Sequence, residues 1–163
     1  MSNYKTVFFI IGVLQIILGI FMAIPIFSQF IFSEIDSSFI TSSAITLVFG
    51  VLFVLSNLDY EKKINLKQAF LLTTLSWLTI AIFGSLPFYF SDLNISFTDS
   101  FFESMSGLTT TGSTIISNLE LAPKSVLLWR ALLQWLGGIG IIVMAITLMP
   151  VSYTHLRAHE TST

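Results

Sequence analysis

Long apolar runs separated by short polar segments make up most of the chain. Four runs are long enough to cross a hydrocarbon core, which takes about 20 helical residues; they cover residues 6–32, 39–58, 69–90 and 125–149. Pro25 should kink or end the first helix, and Pro87 lies near the end of the third, where a break in the helix costs least. The pattern predicts an all-α membrane protein with four transmembrane helices.

The polar segment between the third and fourth runs contains a further helix pattern. SFTDSFFESMSGL, residues 96–108, is amphipathic but too short to span a membrane. Several residues suited to a helix start precede or open it: Ser96 or Thr98 as N-cap, Asp99 in the first turn, and Ser100 with Glu103 at capping-box spacing. A helix over 98–106 would rise about 13 Å, roughly half a membrane, and Gly107 can end it.

The next residues, LTTTGST at 108–114, place hydroxyl side chains around a single glycine. Irregular backbone at membrane depth is tolerated only where it is buried in protein or lines a water-filled cavity. In a cavity, inward-turned carbonyl oxygens can replace the hydration shell of a cation, and glycine supplies the required dihedral angles. The partly negative C-terminal end of the preceding helix favours the same sign of ligand. A cation site is therefore predicted, with a polar external turn as the alternative.

Composition and charge narrow the function further. Hydrophobic residues make up 54% and charged residues 10% of the 163-residue chain, and the mean hydropathy is +0.87, whereas soluble domains are about one quarter charged. No basic stripe suggests nucleic acid as a partner. With no cysteine, no GxSxG motif and histidines only near the C-terminus, the sequence does not indicate an enzyme.

Lysine positions predict the orientation in the bilayer, because cytoplasmic loops collect Lys and Arg. Lys5 precedes the first span, and the loop between the second and third spans carries Lys62, Lys63 and Lys67. The loop after the first span has acidic residues and no basic one. The N-terminus and the 59–68 loop are therefore expected in the cytoplasm, and residues 91–124 outside.

Two longer motifs resemble a known family. FFESMSGLTTTGSTI at 101–115 and APKSVLLWRALLQWLGGIGIIVMAI at 122–146 resemble the first pore repeat of the Trk/Ktr/HKT potassium-uptake superfamily, in particular its TrkH-like membrane subunits. The resemblance implies an additional two-span pair with its cytoplasmic loop (1–68) and one pore repeat (69–150): a span at 69–90, a re-entrant pore helix at 98–106, a selectivity filter at 109–113 and a span at 125–149. It also implies that potassium is the transported ion and that no cofactor is needed.

The resemblance assigns the filter residues as well. They are Thr109, Thr110, Thr111, Gly112 and Ser113. Potassium would be coordinated by the backbone of Thr110, Thr111, Gly112 and Ser113, with Gly112 as the filter glycine.

Members of the superfamily carry four such repeats in one chain, so the expectation is an N-terminal portion that lacks three repeats. Residues 151–163 do not resemble the family's continuation and are expected to be a non-native tail. The family further implies a multi-pass protein of the bacterial inner membrane, a homodimer and a cytosolic nucleotide-binding regulatory subunit. Two alternatives stay open: a non-conducting membrane scaffold or regulatory piece, and a cation pore assembled from four copies.

The sequence also suggests roles for a few residues outside the predicted filter. Arg130, near the outer end of the fourth span, is expected to pair with Glu103 and so brace the pore helix. The glycines of WLGGIG, residues 135–140, would allow close helix packing or form a gating hinge. His155 and His159 have the i, i+4 spacing of metal ligands, but no third ligand accompanies them.

Overall fold

The computed structural model describes the backbone of residues 4–34, 36–60 and 64–160, with side chains as far as residue 142. Four helical stretches are long and apolar enough to cross a membrane, as predicted: Lys5–Phe32, Ser38–Ser56, Leu66–Phe90 and Lys124–Ile142. The helices are α1 (Lys5–Phe21), α2 (Ala23–Phe32), α3 (Ser38–Ser56), α4 (Leu66–Phe90), α5 (Phe97–Leu108) and α6 (Lys124–Glu160), and a short 3-10 helix covers Leu119–Leu121.

The two prolines act as their chemistry requires. The first span breaks at Met22, between α1 and α2, three residues before Pro25. Pro25 cannot donate an N–H, and its ring would clash with the carbonyl of Phe21, the last residue of α1. Pro87 lies inside α4 but only three residues before the helix ends at Phe90, where few backbone hydrogen bonds depend on it.

α1 and α3 approach closely because glycines face each other. A Cβ atom on Gly12 would lie 2.9 Å from the carbonyl oxygen of Gly50, and one on Gly50 would lie 2.9 Å from the backbone nitrogen of Ile16. Elsewhere in the contact between α1 and α3, Ser43 Oγ donates a hydrogen bond to the carbonyl of Gly19 at 2.9 Å. Small residues that bring backbones together are the usual means of packing helices in a membrane.

Trp129 of α6 connects the elements around the candidate site. Its side chain is fully buried, and its Nε1–H donates to the carbonyl of Gly84 in α4 at 2.9 Å. Its ring also meets Phe39 of α3 edge-on, with centroids 6.2 Å apart. The surrounding core takes residues from α1, α3, α4 and α6 and from the break between α1 and α2, so the N-terminal helices and the later helices pack together. The core residues are Leu18, Met22, Phe39, Phe88, Val126, Trp129 and Leu133.

Glu34, in the loop between α2 and α3, caps the start of α6. Its carboxylate accepts hydrogen bonds from the backbone N–H of Lys124 at 2.6 Å and from both the N–H and the hydroxyl of Ser125, at 3.2 and 2.7 Å. Partial burial raises the pKa of Glu34, but the hydrogen bonds and the nearby Lys124 charge outweigh it and hold the pKa below its usual value. A carboxylate here also complements the positive end of the helix dipole.

Several boundaries differ from the sequence predictions. α4 begins at Leu66 instead of residue 69, after the N-cap Asn65, and α3 ends at Ser56 instead of residue 58. α5 runs over Phe97–Leu108 instead of 98–106, because Gly107 packs against Leu133 of α6 and does not end the helix. α6 stays helical past Pro150 to Glu160, whereas the sequence predicted a span that ends at residue 149. Lys62 and Lys63, which support the predicted orientation, and the side chains of His155 and His159 lie outside the part of the chain described.

The hydrogen bonds at the start of α5 identify its N-cap residue. Ser96 Oγ accepts the N–H of Asp99 at 3.2 Å and is the N-cap. The alternative pair does not form a capping box: Ser100 Oγ donates to the Ser96 carbonyl at 2.9 Å, and Glu103 turns toward residues 114 and 115. Tertiary partners thus override the local pairing that the spacing of Ser100 and Glu103 suggested.

Candidate cation site

The chain reverses direction in a tight turn at the end of α5. The N–H groups of Thr109, Thr110 and Thr111 donate to carbonyls in the last two turns of the helix, at 2.8 to 3.0 Å. Thr110 takes a left-handed φ of 58°, which costs a residue with a Cβ about 1 kcal/mol or more. Backbone strain of this kind persists where surrounding contacts hold it, and it clusters at functional sites.

Gly112 follows with a φ of 78°, the other positive value in this turn. Space is not the constraint, because the nearest atom to a Cβ built on Gly112 is Gln134 Nε2, 3.7 Å away. Its backbone conformation, which residues other than glycine rarely adopt, is the constraint. The positive φ at position 112 therefore explains why a glycine, which the sequence analysis identified, is found there.

The turn leaves carbonyl oxygens free on an exposed surface. Residues Thr109 to Ser113 are all exposed, and the N–H groups of Thr111 and Gly112 point back to the carbonyl of Ser106, at 3.0 and 3.4 Å. Within the described residues, no donor reaches the carbonyl oxygens of Thr110 and Thr111. Such oxygens can serve as ligands for a hard cation.

Glu103 lies behind this exposed surface and is itself fully buried. Its Oε1 accepts hydrogen bonds from Thr114 Oγ1 at 2.5 Å and from the N–H of Ile115 at 2.6 Å. These two bonds fix the chain just after Ser113 against α5. A buried carboxylate also needs a compensating charge.

Arg130 of α6 supplies that charge. Its Nε lies 2.9 Å from Glu103 Oε2, close enough for an ion pair although the N–H is not aligned with the oxygen as a hydrogen bond. Its Nη2 lies 3.4 Å from the carbonyl oxygen of Ser113 and 3.5 Å from that of Gly112, both long contacts. The two residues that the sequence suggested as a pair are thus in contact, and the contact extends to the backbone of the turn.

The carbonyl of Ser113 has a second donor. Ser106 Oγ, on the last turn of α5, donates to it at 2.6 Å. With Arg130 also nearby, both lone pairs of this oxygen face protein donors. Ser113 therefore stays in the predicted coordinating set on the family resemblance, while the geometry favours Thr110 and Thr111.

Gly137 of α6 allows a close backbone contact with the end of α5. A Cβ on Gly137 would fall 1.7 Å from the carbonyl oxygen of Leu108, so only glycine allows this contact between the two backbones. Gly138 meets nothing nearer than Thr110 Cγ2 at 3.9 Å, and Gly140 faces open space. Close packing thus accounts for Gly137 alone among the three glycines of WLGGIG.

Two residues of the site, Ser106 and Thr114, and one helix cap outside it, Glu34, were missed in the sequence. Ser106 lies three positions after Glu103, a spacing that puts both on one side of a helix and could have indicated a shared role. Thr114 and Glu34 gave no local signal, because each meets its partner only through the fold. Within the described residues, no group of three His, Asp or Glu side chains is placed to hold a metal ion.

Comparisons with known proteins agree with this architecture. Residues 35–153 match the family model TrkH, described as a cation transport protein. The Trk system potassium uptake protein TrkI of Halomonas elongata is 44% identical over 86% of this chain and 29% of its own length. TrkH of Escherichia coli K12 is 34% identical over 91% of this chain and 31% of its own.

A solved structure supports the same relationship. The crystal structure of the potassium transporter TrkH from Vibrio parahaemolyticus aligns with a TM-score of 0.85 and 35% identity, over 91% of this chain and 32% of that one. The chain therefore spans about a third of the length of the relatives that it matches. On sequence and fold together, the chain belongs to the TrkH family of cation transport proteins.

Proposed function

We propose that this chain takes part in moving potassium ions across a membrane, as the N-terminal part of a TrkH-like uptake protein. Residues Thr109 to Ser113 would form one quarter of the selectivity filter. The observation that carries the proposal is the pair of exposed carbonyls, of Thr110 and Thr111, that no protein donor reaches among the described residues. They lie beside the C-terminal end of α5, whose partial negative charge favours a cation.

The shape of α5 fits a re-entrant pore helix. Its 12 residues rise about 18 Å, roughly half a membrane. Potassium gives up its hydration shell only where several oxygens replace the water. One turn offers two or three such oxygens, so the filter requires further copies of the same arrangement.

The remaining partners follow from the family and the length of its members. We propose three further pore repeats in the same polypeptide, a homodimer of that polypeptide and a cytosolic nucleotide-binding regulatory subunit. The location proposed is the bacterial inner membrane, with the N-terminus in the cytoplasm, which Lys5 and Lys67 support through the charge bias of cytoplasmic loops. No catalytic role and no cofactor are proposed.

Tracer uptake tests the proposal directly. The complete coding sequence of the source gene and the 163-residue chain would each be reconstituted into vesicles loaded with potassium, and rubidium uptake would be measured. Uptake only from the complete product supports the proposed function. Uptake from the 163-residue chain alone would instead support a pore of four copies, and uptake from neither would support the scaffold alternative.

A further inference from the structure

Four helices surround a cavity of about 320 Å³ in the membrane-spanning part of the chain. Its walls come from α1, α4 and α6 and from Leu108, the last residue of α5. Leucine, isoleucine and glycine make up the lining apart from Ser76 and Trp77, and none of the described charged side chains lies in it. Residues 109–113 are not part of the lining either. The cavity is therefore an apolar feature distinct from the candidate cation site.

The cavity lies at the depth of the hydrocarbon core. Its lining residues on α1 fall within 14–18, and those on α4 fall within 76–80. Each is nine or more residues from both ends of its candidate span, which is Lys5–Phe32 or Leu66–Phe90. Such positions lie about 14 Å or more along the helix from either end, and the hydrocarbon core is about 30 Å thick. The medium around the chain at this depth is lipid acyl chain and not water.

The exposure of the lining residues shows where the cavity opens. Leu18 and Leu108 are only 3% and 4% exposed and form its floor. Ile17 of α1 and Ile139 of α6 are 43% and 42% exposed, and a Cβ on Gly140 would meet no atom within 4 Å. The mouth therefore lies between α1 and α6 and opens sideways, in the plane of the membrane.

The size and polarity of the cavity favour an apolar guest. An empty cavity destabilises a protein in proportion to its volume. Water is a poor occupant, because a buried water needs two to four polar partners and the lining side chains offer only the Ser76 hydroxyl and the Trp77 N–H. A smaller apolar cavity, of about 150 Å³ and lined by Leu, Ile and Phe, stays dry and takes up benzene. Hydrocarbon is therefore the occupant that the lining favours.

We propose that this cavity binds one acyl chain of a membrane phospholipid, which enters between α1 and α6 past Ile17 and Ile139 and lies against Trp77. A flexible hydrocarbon chain matches the lining in polarity, is present at the same depth and brings no polar group that would need a hydrogen bond. The bound chain fills the space between the middle of α1 and α6 and adds packing contacts to both. The proposal goes beyond ion transport and does not depend on which ion the protein carries.

Fluorescence quenching by brominated phospholipid tests the proposal, because bromine on an acyl chain quenches tryptophan only at short range. The product of the complete coding sequence would be reconstituted into vesicles of phosphatidylcholine brominated at mid-chain. The signal of each tryptophan is the difference between wild type and the corresponding phenylalanine variant. Trp77 lines the cavity, Trp135 is 58% exposed and Trp129 is 0% exposed. We expect strong quenching of Trp77 and Trp135 and weak quenching of Trp129.

Two variants that fill the cavity separate binding inside it from contact with lipid on the outer surface. Gly140→Leu places a side chain at the mouth, and Ser76→Leu fills the space from α4. Each should lower the quenching of Trp77 to half or less and leave that of Trp135 unchanged. Thr74→Leu is the matched control, since Thr74 is exposed on α4 and does not line the cavity. In this control the quenching of Trp77 should stay at the wild-type level.

Three results would overturn the proposal. The first is no quenching of Trp77 in wild type while Trp135 is quenched. The second is equal quenching of Trp77 in wild type, Gly140→Leu and Ser76→Leu, because the lipid would then contact Trp77 outside the cavity. The third is quenching of Trp77 in the 163-residue chain but not in the complete product, which would show that later residues of the polypeptide fill the cavity. A failure of rubidium uptake would not affect these measurements, since quenching requires only that the protein is inserted.

Discussion

Replacing Gly137 with alanine would place a methyl group on the backbone where α6 crosses the end of α5. The added Cβ would lie 1.7 Å from the carbonyl oxygen of Leu108 and 3.1 Å from its Cα, where an ordinary contact needs about 3.5 Å. The obstructing atom belongs to the backbone, so no side-chain rotation relieves the clash. α6 or the end of α5 must move by more than 1 Å.

The size of the effect follows from two opposing terms. Alanine is a better helix former than glycine by about 1 kcal/mol, which would stabilise α6 in the absence of contacts. Overpacking costs about 1–3 kcal/mol when side chains can adjust, and a rigid backbone contact lies at or above the upper end. We therefore expect Gly137→Ala to destabilise the chain by about 2 kcal/mol or more.

Unfolding of the detergent-solubilised chain by SDS titration, followed by circular dichroism, measures this difference. Gly140→Ala is the matched control, since Gly140 lies in the same helix and faces open space, and it should be neutral or stabilising. Gly138→Ala, with a nearest contact of 3.9 Å, should behave like the control. Equal stability of the Gly137 and Gly140 variants would refute the packing argument.

Two further predictions concern contacts between distant elements. At neutral pH, Glu34→Gln should lower the stability of the chain by up to about 1 kcal/mol, the scale of a lost helix cap. Folding lowers the pKa of Glu34. The stabilisation by the Glu34 carboxylate is therefore fully present above the usual pKa of a glutamate and is lost as the pH falls through the lowered pKa. The difference between wild type and Glu34→Gln should therefore shrink in acid, and a difference that persists unchanged at pH 3 would contradict the cap. Trp129→Phe removes the hydrogen bond to the Gly84 carbonyl and leaves a small cavity, so the free energy of unfolding in the same SDS titration should fall by about 1–2 kcal/mol. A fall of less than about 0.3 kcal/mol would show that this hydrogen bond contributes little.

The sequence predicted the features that depend on local pattern. Length and hydropathy alone identified the four apolar helices, and the chemistry of Pro25 predicted the break near Met22. Residues 96–108 indicated a short helix, and Gly112 has the positive φ that a glycine in such a turn suggests. These features are encoded within about one helix length, so one sequence suffices to find them.

The features that the sequence did not predict arise from tertiary contacts. Glu34 meets Lys124 across 90 residues of chain, and no periodicity indicates a partner at that distance. WLGGIG contains three glycines of similar appearance, and only the crossing of α6 with Leu108 distinguishes Gly137. Glu103 had the spacing of a capping box with Ser100, but its buried carboxylate instead pairs with Arg130, as the sequence suggested, and accepts hydrogen bonds from Thr114 and Ile115, which no local pattern indicated.

The proposal that the turn around Gly112 forms part of a potassium filter can be tested directly. Its most direct test is the ratio of rubidium to sodium uptake by the complete coding sequence carrying Gly112→Ala, with Gly138→Ala as control. A Cβ at Gly112 meets no close atom, so the substitution perturbs the φ of the filter backbone and little else. A filter role predicts a lower ratio or lost uptake for Gly112→Ala and wild-type behaviour for Gly138→Ala, whereas an unchanged ratio at full uptake in both variants would contradict that role.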